Sequence, residues 1–380
     1  MTAPLIVLAA GGTGGHLFPA EALARTLLSR GARPVLVTDR RGGDIGGGLA
    51  ELETYRLRAA GVAGKGLVAR ITGVGQVGIG VVQARRLLRR LSPAAAVGFG
   101  GYASLPATLA ASLLRMPLLV HEQNAVLGRA NRLLAGRVDR LATAFPTPRF
   151  LGDTLLSKAV HTGMPVRPAF LALREQPYPD RTVDGPMRIL VLGGSQGARI
   201  FSDIVPEAVG RLPEEIRQRL GLVQQCRPED LERVRAAYGR LGITAELAAF
   251  FTDVPERLAA AHLVIARAGA STVAELTTVG RPAILVPYPF ATDDHQSANA
   301  EAVAAAGGAW TIPQPAFTPD ELADLLSSRL HDRATLADAA AKARAIGVPD
   351  AADRLADAVL ALAGSNGADN PIGAGNREAA

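Results

Sequence analysis

Short apolar runs recur along the chain, several of them ending in glycine or in a cluster of polar residues, with longer stretches of helical spacing between them. In the first half the runs are Leu5 to Ala10, Pro34 to Thr38, Ala94 to Phe99, Pro117 to Val120, Val138 to Thr143 and Val160 to Arg167. In the second half they are Ile189 to Leu192, Gly221 to Gln225, Thr244 to Ala249, Leu263 to Ala266 and Ala283 to Val286. Short apolar runs such as Ile189 to Leu192 are what strands buried on both faces require. Between them, Glu21 to Arg30 places Leu23, Leu27 and Leu28 at helical spacing before Gly31, and Leu322 to Leu362 is helical with a break at Gly347, Val348 and Pro349. Strand and helix in alternation predict an α/β fold built on parallel sheets.

Two of the runs break into glycine-rich loops of similar design. Leu5 to Ala10 meets Gly11, Gly12, Thr13, Gly14, Gly15 and His16, and Ile189 to Leu192 meets Gly193, Gly194, Ser195, Gln196 and Gly197. Glycine at such a junction lets the backbone turn sharply and approach a ligand, while the next helix offers unpaired N–H groups to an anion. A phosphate is the natural guest. Two nucleotide-type folds in tandem follow, in line with a length of 380 residues, too long for one ordinary core. Asp39, beyond the first loop, invites a nicotinamide dinucleotide reading, but the loop runs G-G-x-G-G rather than G-x-G-x-x-G.

Composition narrows the partners. A formal net charge of +6 favours phosphates, anionic lipid surfaces or nucleic acid. No dense basic run with interleaved aromatics supports the last, so no nucleic-acid partner is expected. Cys226 is the only cysteine, which rules out an intrachain disulfide and a cysteine metal cluster. Leu105 to Val120 is broken by Pro106, Arg115 and Pro117, so it is no membrane span. Gly61 to Arg90 joins glycine and valine to Lys65, Arg70, Arg85, Arg86, Arg89 and Arg90, which suits either an anionic bilayer surface or a helix with one buried and one solvated face.

Other candidate groups sit just after strands, where ligands of open α/β sheets bind. His121, Glu122, Gln123 and Asn124 follow one; His121 alone reads first as a structural histidine. Arg167 reads as an anion clamp or a linker arginine. Phe251 could wall a base. Ala270, Ser271 and Thr272 open a helix, with Glu275 a turn later, either accepting bonds from a ribose diol or capping. Asp293 and Asp294 beside His295 read as helix caps rather than metal ligands.

Gly-Gly-Thr-Gly-Gly-His at 11–16, Gly-Phe-Gly-Gly-Tyr at 98–102, His-Glu-Gln-Asn at 121–124, Thr-Gly-Met-Pro-Val-Arg at 162–167, Gly-Gly-Ser-Gln-Gly-Ala at 193–198, Arg-Ala-Gly-Ala-Ser-Thr leading to Glu275, and His-Gln-Ser-Ala-Asn at 295–299 occur in this order. The set resembles the bacterial UDP-N-acetylglucosamine:lipid I glycosyltransferases of peptidoglycan synthesis, the MurG family. Met164 and Ala268 stand where asparagine and serine are common in that family.

The resemblance implies the GT-B architecture, two Rossmann-like domains with parallel sheets facing across a cleft. The expected divisions are an acceptor and membrane-facing domain at 1–163, a UDP-GlcNAc domain at 164–348, a returning helix at 349–363 and a disordered tail at 364–380. It further implies an inverting transfer of GlcNAc from UDP-GlcNAc to the MurNAc 4-hydroxyl of lipid I, giving lipid II for the cell wall, on the cytoplasmic face of the inner membrane. Carried onto this chain, Ser195 and the Gly194 loop bind the pyrophosphate with Ala270, Ser271 and Thr272 at the neighbouring helix start. Glu275 takes the ribose, the backbone around Phe251 the uracil edge and Gln296 the sugar hydroxyls. Thr13, Gly14, Gly15 and Asn124 reach the donor sugar, Arg167 meets the phosphates, and His16 is the expected base with Glu122 as its rival. No metal and no cofactor is expected. A UDP-GlcNAc 2-epimerase shares the architecture and is the alternative activity.

Overall fold

The computed structural model describes residues 3–11, 14–39, 47–58, 67–180, 185–194 and 197–365. It separates into two units. One comprises Met1–Gln123, Leu127–Arg167 and Asp350–Ala380, the other Asn124–Val126 and Pro168–Pro349. The chain therefore passes from the first unit to the second after Arg167, four residues beyond the position expected from sequence, and Asn124 belongs with the second.

The first unit holds a parallel sheet of strands β1 (Leu5–Ala9), β2 (Arg33–Asp39), β3 (Thr54–Leu57), β4 (Ala95–Gly98), β5 (Leu118–Glu122), β6 (Arg140–Thr143) and β7 (Ala159–His161). Their order is β3-β2-β1-β4-β5-β6-β7. Alternation along β1 serves both faces: Val7 and Ala9 pack with Leu87, Leu88 and Leu105, and Ile6 and Leu8 with Leu23, Leu27, Leu355 and Val359. Those last two lie on the helix Ala351–Ser365, so the end of the described chain completes the core of the first unit. Arg30 holds the same helix through Asp353 at 2.6 Å and through Asp357.

The second unit holds β8 (Met187–Leu192), β9 (Leu220–Gln225), β10 (Ala245–Ala248), β11 (Leu263–Ala266), β12 (Ala283–Leu285) and β13 (Ala309–Thr311), in the order β10-β9-β8-β11-β12-β13. In both sheets the chain starts in the middle, winds outward to one edge, and then crosses back to build the other side. That reversal opens a crevice at the carboxyl ends of the two central strands, because the loops leaving them turn to opposite faces. It falls between β1 and β4 in one unit and between β8 and β11 in the other.

Several boundaries differ from the sequence reading. The first helix is Gly14–Ser29, beginning seven residues before Glu21, with Pro19 inside it. β5 runs on through His121 and Glu122, so these are strand residues rather than loop residues. β3 and β13 are strands with no counterpart in the predicted set. The long C-terminal helical stretch also breaks after His331, where Asp332 caps the next helix by accepting the Thr335 N–H at 3.0 Å. The helix Ala351–Ser365 takes in Gly364 and Ser365, where the tail was expected to begin, and the rest of the expected tail lies outside the described residues.

Leu355 is fully buried against the β1 and β4 side chains. Leu355→Ala should therefore destabilise the first unit by about 2–5 kcal/mol, read as a lower urea midpoint for its unfolding transition.

Candidate active site

In the second unit the crevice is built by the loops after β8 and β11. The described part of the first loop is Gly193, Gly194 and Gly197, with Gly194 and Gly197 at φ of 83° and 67°. A Cβ on Gly193 would stand 2.3 Å from the Ala198 nitrogen, so no larger residue fits there. Ser195 lies outside the described residues. After β11, Gly269 caps the helix Ala270–Val279 in an extended conformation with no side-chain cap and no acidic residue in the first turn. The first-turn amides of Ala270, Ser271 and Thr272 are thus left for a guest, at the positive end of the helix dipole. Glu275 stands in the second turn, one turn past the helix opening, where the sequence reading placed it.

The rim carries a cation as well. Arg267, the first residue past β11, donates to the carbonyls of Val286 at 3.1 Å and Pro287 at 3.2 Å and to Gln314 Oε1 at 2.6 Å. It lies against the rings of Phe201 and Tyr288 and forms an ion pair with no carboxylate among the described residues. Burial lowers its pKa below the usual arginine value, and the site around it favours an added negative charge.

Phe251 is buried, and the Arg257 guanidinium covers its ring at 4.3 Å from the centroid. The expectation that the ring itself walls a base is corrected: packing has used that face, and only the backbone of the loop remains. Gln296 Oε1 accepts the Tyr288 N–H at 3.0 Å, leaving its amide NH2 as the group able to meet a hydroxyl. Asp294 sits at the cap position of the helix His295–Ala305 but accepts from the Ser297 hydroxyl at 2.7 Å rather than from a backbone amide, so its carboxylate does not cap in the expected way. No cluster of three metal-ligating side chains occurs among the described residues.

Two buried amides missed at the sequence level hold this rim. Asn299 accepts the Ala125 N–H at 2.8 Å and donates to Asn124 Oδ1 at 3.1 Å and the Ala268 carbonyl at 3.0 Å, all within the second unit. Gln225 accepts from Gly193 and donates to Gly194 and Ala249. Their signal was position, a polar side chain at a strand end or in a helix start; what each bonds to is long-range and invisible in one sequence.

In the first unit, Gly14 and Gly15 open the helix and His16 is its third residue; Thr13 lies outside the described residues. His16 faces the loop after β4: a Cβ on Gly101 would come within 3.1 Å of His16 Nε2, and Gly101 has φ of 70°. Glycine here is required by both the close approach and the backbone. Two separate motifs of the sequence therefore meet at the β1 and β4 ends. Arg167 stands over Phe18, two residues along the His16 helix, at 4.6 Å from the ring centroid. Glu122 is buried and its Oε2 accepts from the Gly128 N–H at 2.7 Å and Asn131 Nδ2 at 2.9 Å, which ties it to the following loop. That arrangement suits positioning rather than proton transfer. Asp39 is buried beneath Gly11, away from the exposed place a ribose would need.

His121 is fully buried beside Phe99, its Nε2 donating to the Gly163 carbonyl at 3.1 Å. Desolvation pushes its pKa down to about 4 from 6.5. It is a neutral structural histidine.

Comparison with known proteins agrees with this geometry. The model for the glycosyltransferase family 28 N-terminal domain matches residues 6–143, and that for the family 28 C-terminal domain residues 188–355. Two doubly wound units that match both domains of glycosyltransferase family 28 make this a GT-B glycosyltransferase. A protein of Paramagnetospirillum magneticum named UDP-N-acetylglucosamine--N-acetylmuramyl-(pentapeptide) pyrophosphoryl-undecaprenol N-acetylglucosamine transferase is 59% identical over 94% of this chain and 97% of its own. One of the same name from Rhodospirillum centenum is 60% identical over 96% and 97%. The crystal structure of Acinetobacter baumannii MurG superposes with a TM-score of 0.77 at 31% identity, covering 94% of this chain and 99% of that one. A UDP-N-acetylglucosamine 2-epimerase of Listeria monocytogenes, at a TM-score of 0.67 and 16% identity over 97% and 98%, shares the fold. The chain belongs to the MurG family of N-acetylglucosamine transferases.

The histidine supplies a test of the first unit. Between pH 6.5 and 4 the unfolded imidazole is protonated while the buried one is not, so unfolding takes up a proton and stability falls as pH drops through this window. The loss from pH 7 to 4 should be about 3 kcal/mol from this group alone. Urea unfolding of His121→Asn at pH 7 and pH 5 should show a smaller acid penalty than the parent; equal penalties would remove His121 as the cause.

Proposed function

We propose that this protein transfers N-acetylglucosamine from UDP-GlcNAc to the 4-hydroxyl of MurNAc in lipid I, forming lipid II with inversion at the anomeric carbon. The observation that carries this is the uncapped start of the helix Ala270–Val279 beside the Gly193–Gly194 turn, in a chain of the MurG family. A diphosphate leaving group gathers charge as the glycosidic bond breaks, and preorganised backbone N–H groups there stabilise that charge without rearrangement. Ser195 joins this cradle, with Glu275 on the ribose hydroxyls, the backbone at Phe251 on the uracil edge and Gln296 on the sugar.

The first unit supplies the acceptor chemistry. The MurNAc hydroxyl oxygen attacks C1 from the face opposite UDP, the bond from C1 to the phosphate oxygen breaks, and UDP leaves with the electron pair. His16 takes the hydroxyl proton. Thr13, Gly14, Gly15 and Asn124 contact the donor sugar, Arg167 contacts phosphate, and Glu122 keeps the loop at Gly128 in place. Incubation with labelled UDP-GlcNAc and a lipid I analogue should give the disaccharide lipid and UDP. His16→Ala should lower kcat by about 100-fold or more while UDP affinity holds; full turnover would remove His16 from the chemistry. Formation of UDP-ManNAc from donor alone would instead support the epimerase.

A lipid acceptor calls for the membrane surface, and no helix among the described residues is long and apolar enough to cross it. The protein works as a peripheral enzyme on the anionic cytoplasmic face. Within the helix Leu67–Leu91, Ala84, Leu87 and Leu88 are buried, while Ile79 and Val82 are exposed on one stripe with Arg86 and Arg89. One face of the helix is thus packed and the other is exposed. Lys65 and the Arg70 side chain lie outside the described residues. Exposed aliphatics with arginines beside them suit the boundary between acyl chains and anionic headgroups. Replacing Arg86 and Arg89 by Gln should weaken binding to phosphatidylglycerol vesicles by about 2 kcal/mol at low salt, measured by cosedimentation, and unchanged binding would exclude this face.

A further inference from the structure

Gln225 is the last residue of β9 and is buried. β9 pairs with β8 on one side and with β10 on the other, so its end lies between the two loops that leave those strands. In register Gln225 pairs with Ala248, one residue before the loop of Ala249, Phe250 and Phe251. On the other side Val191 pairs with Gln224, which brings Gln225 next to the start of the glycine loop.

The side-chain amide uses this position fully. Oε1 accepts the Gly193 N–H at 3.0 Å; Nε2 donates to the Gly194 carbonyl at 3.0 Å and to the Ala249 carbonyl at 3.2 Å. Only one orientation of the amide satisfies all three, because the flipped group would set NH2 against an N–H and oxygen against two carbonyls. Both amide protons are consumed, one on each loop. Neighbouring Gln224 points the other way, accepting the Tyr238 hydroxyl at 2.6 Å in the core.

We propose that Gln225 is a positioning residue for the nucleotide: its amide sets the spacing between the turn that receives the diphosphate and the loop whose backbone receives the uracil edge. This rests on the donor-site reading given above. UDP spans both loops, so its affinity depends on their separation in a way that neither loop's own sequence encodes. A site held at the right spacing before the ligand arrives loses less free energy in ordering its loops on binding. Gln225 contacts no reacting atom in this arrangement and acts through Gly193, Gly194 and Ala249.

The test uses the full-length protein with Gln225→Met, which keeps the volume and removes all three bonds, and Gln225→Glu, which keeps an acceptor for Gly193 but as a carboxylate cannot donate. Glu275→Ala is carried alongside as a donor-site reference. Calorimetry gives the Kd for UDP, and steady-state assays give KM for UDP-GlcNAc and for the lipid I analogue. Both Gln225 variants should raise the UDP Kd and the UDP-GlcNAc KM by about 10-fold or more, with the acceptor KM unchanged and kcat at saturation within about threefold. A merely structural role would reduce the folded fraction and apparent kcat, leaving both donor constants where they were. A folded Gln225→Met with a UDP Kd within about twofold of the parent, while Glu275→Ala has lost affinity, would overturn the proposal alone. If Glu275→Ala also keeps its UDP affinity, the donor-site reading falls and this proposal with it. Failure of both Gln225 variants to fold would likewise overturn it in favour of a purely structural role.

Discussion

The constraint on which the structure depends is the reversal of strand order in each parallel sheet. Strands β1 and β8 start in the middle of their sheets, and the chain must return past them to lay down β4 and β11. Loops leaving adjacent strands then diverge, and the helices that follow present unpaired N–H groups to the gap. Burial on both faces forces the strands to be apolar, so all the polar chemistry is pushed to their carboxyl ends. The glycines follow from this geometry: Gly193 has the Ala198 nitrogen against it and Gly101 has His16 against it, and neither place admits a Cβ without movement.

What the rim can do follows from its charge. The start of the helix Ala270–Val279 has no side-chain cap and no acid in its first turn, and Arg267 nearby meets carbonyls and an amide but no carboxylate among the described residues. Such a rim is short of negative charge, which a diphosphate supplies. The first unit differs in character. Its rim is built around His16, Gly101 and the Glu122 and Asn131 bond, with Arg167 stacked on Phe18. These groups suit handling a proton and a hydroxyl better than cradling a nucleotide.

Much of this was legible from pattern. Short apolar runs marked most strands, because double-sided burial leaves a clear local signature. β3 and β13 escaped because both are short and only partly buried, Thr54–Leu57 burying Leu57 and Ala309–Thr311 burying Ala309. The first helix was read late because Gly14, Gly15 and Pro19 disguise its opening turns. The break at Asp332 had a signal, an aspartate three residues before Thr335, which the long run of helix formers around it outweighed. At the site, motif residues could be named from sequence, but their states could not. Phe251 loses its open face to Arg257, thirty-one residues of chain place Gln225 opposite Gly194, and His121 is neutral because of what surrounds it.

The measurement that bears most directly on the central claim is a crystal structure of the protein with UDP bound. The account predicts the diphosphate at the first turn of the helix Ala270–Val279 and against Gly194, with the ribose at Glu275. A diphosphate seated on the β1 and β4 rim instead, or anywhere remote from Gly194 and Glu275, would contradict it.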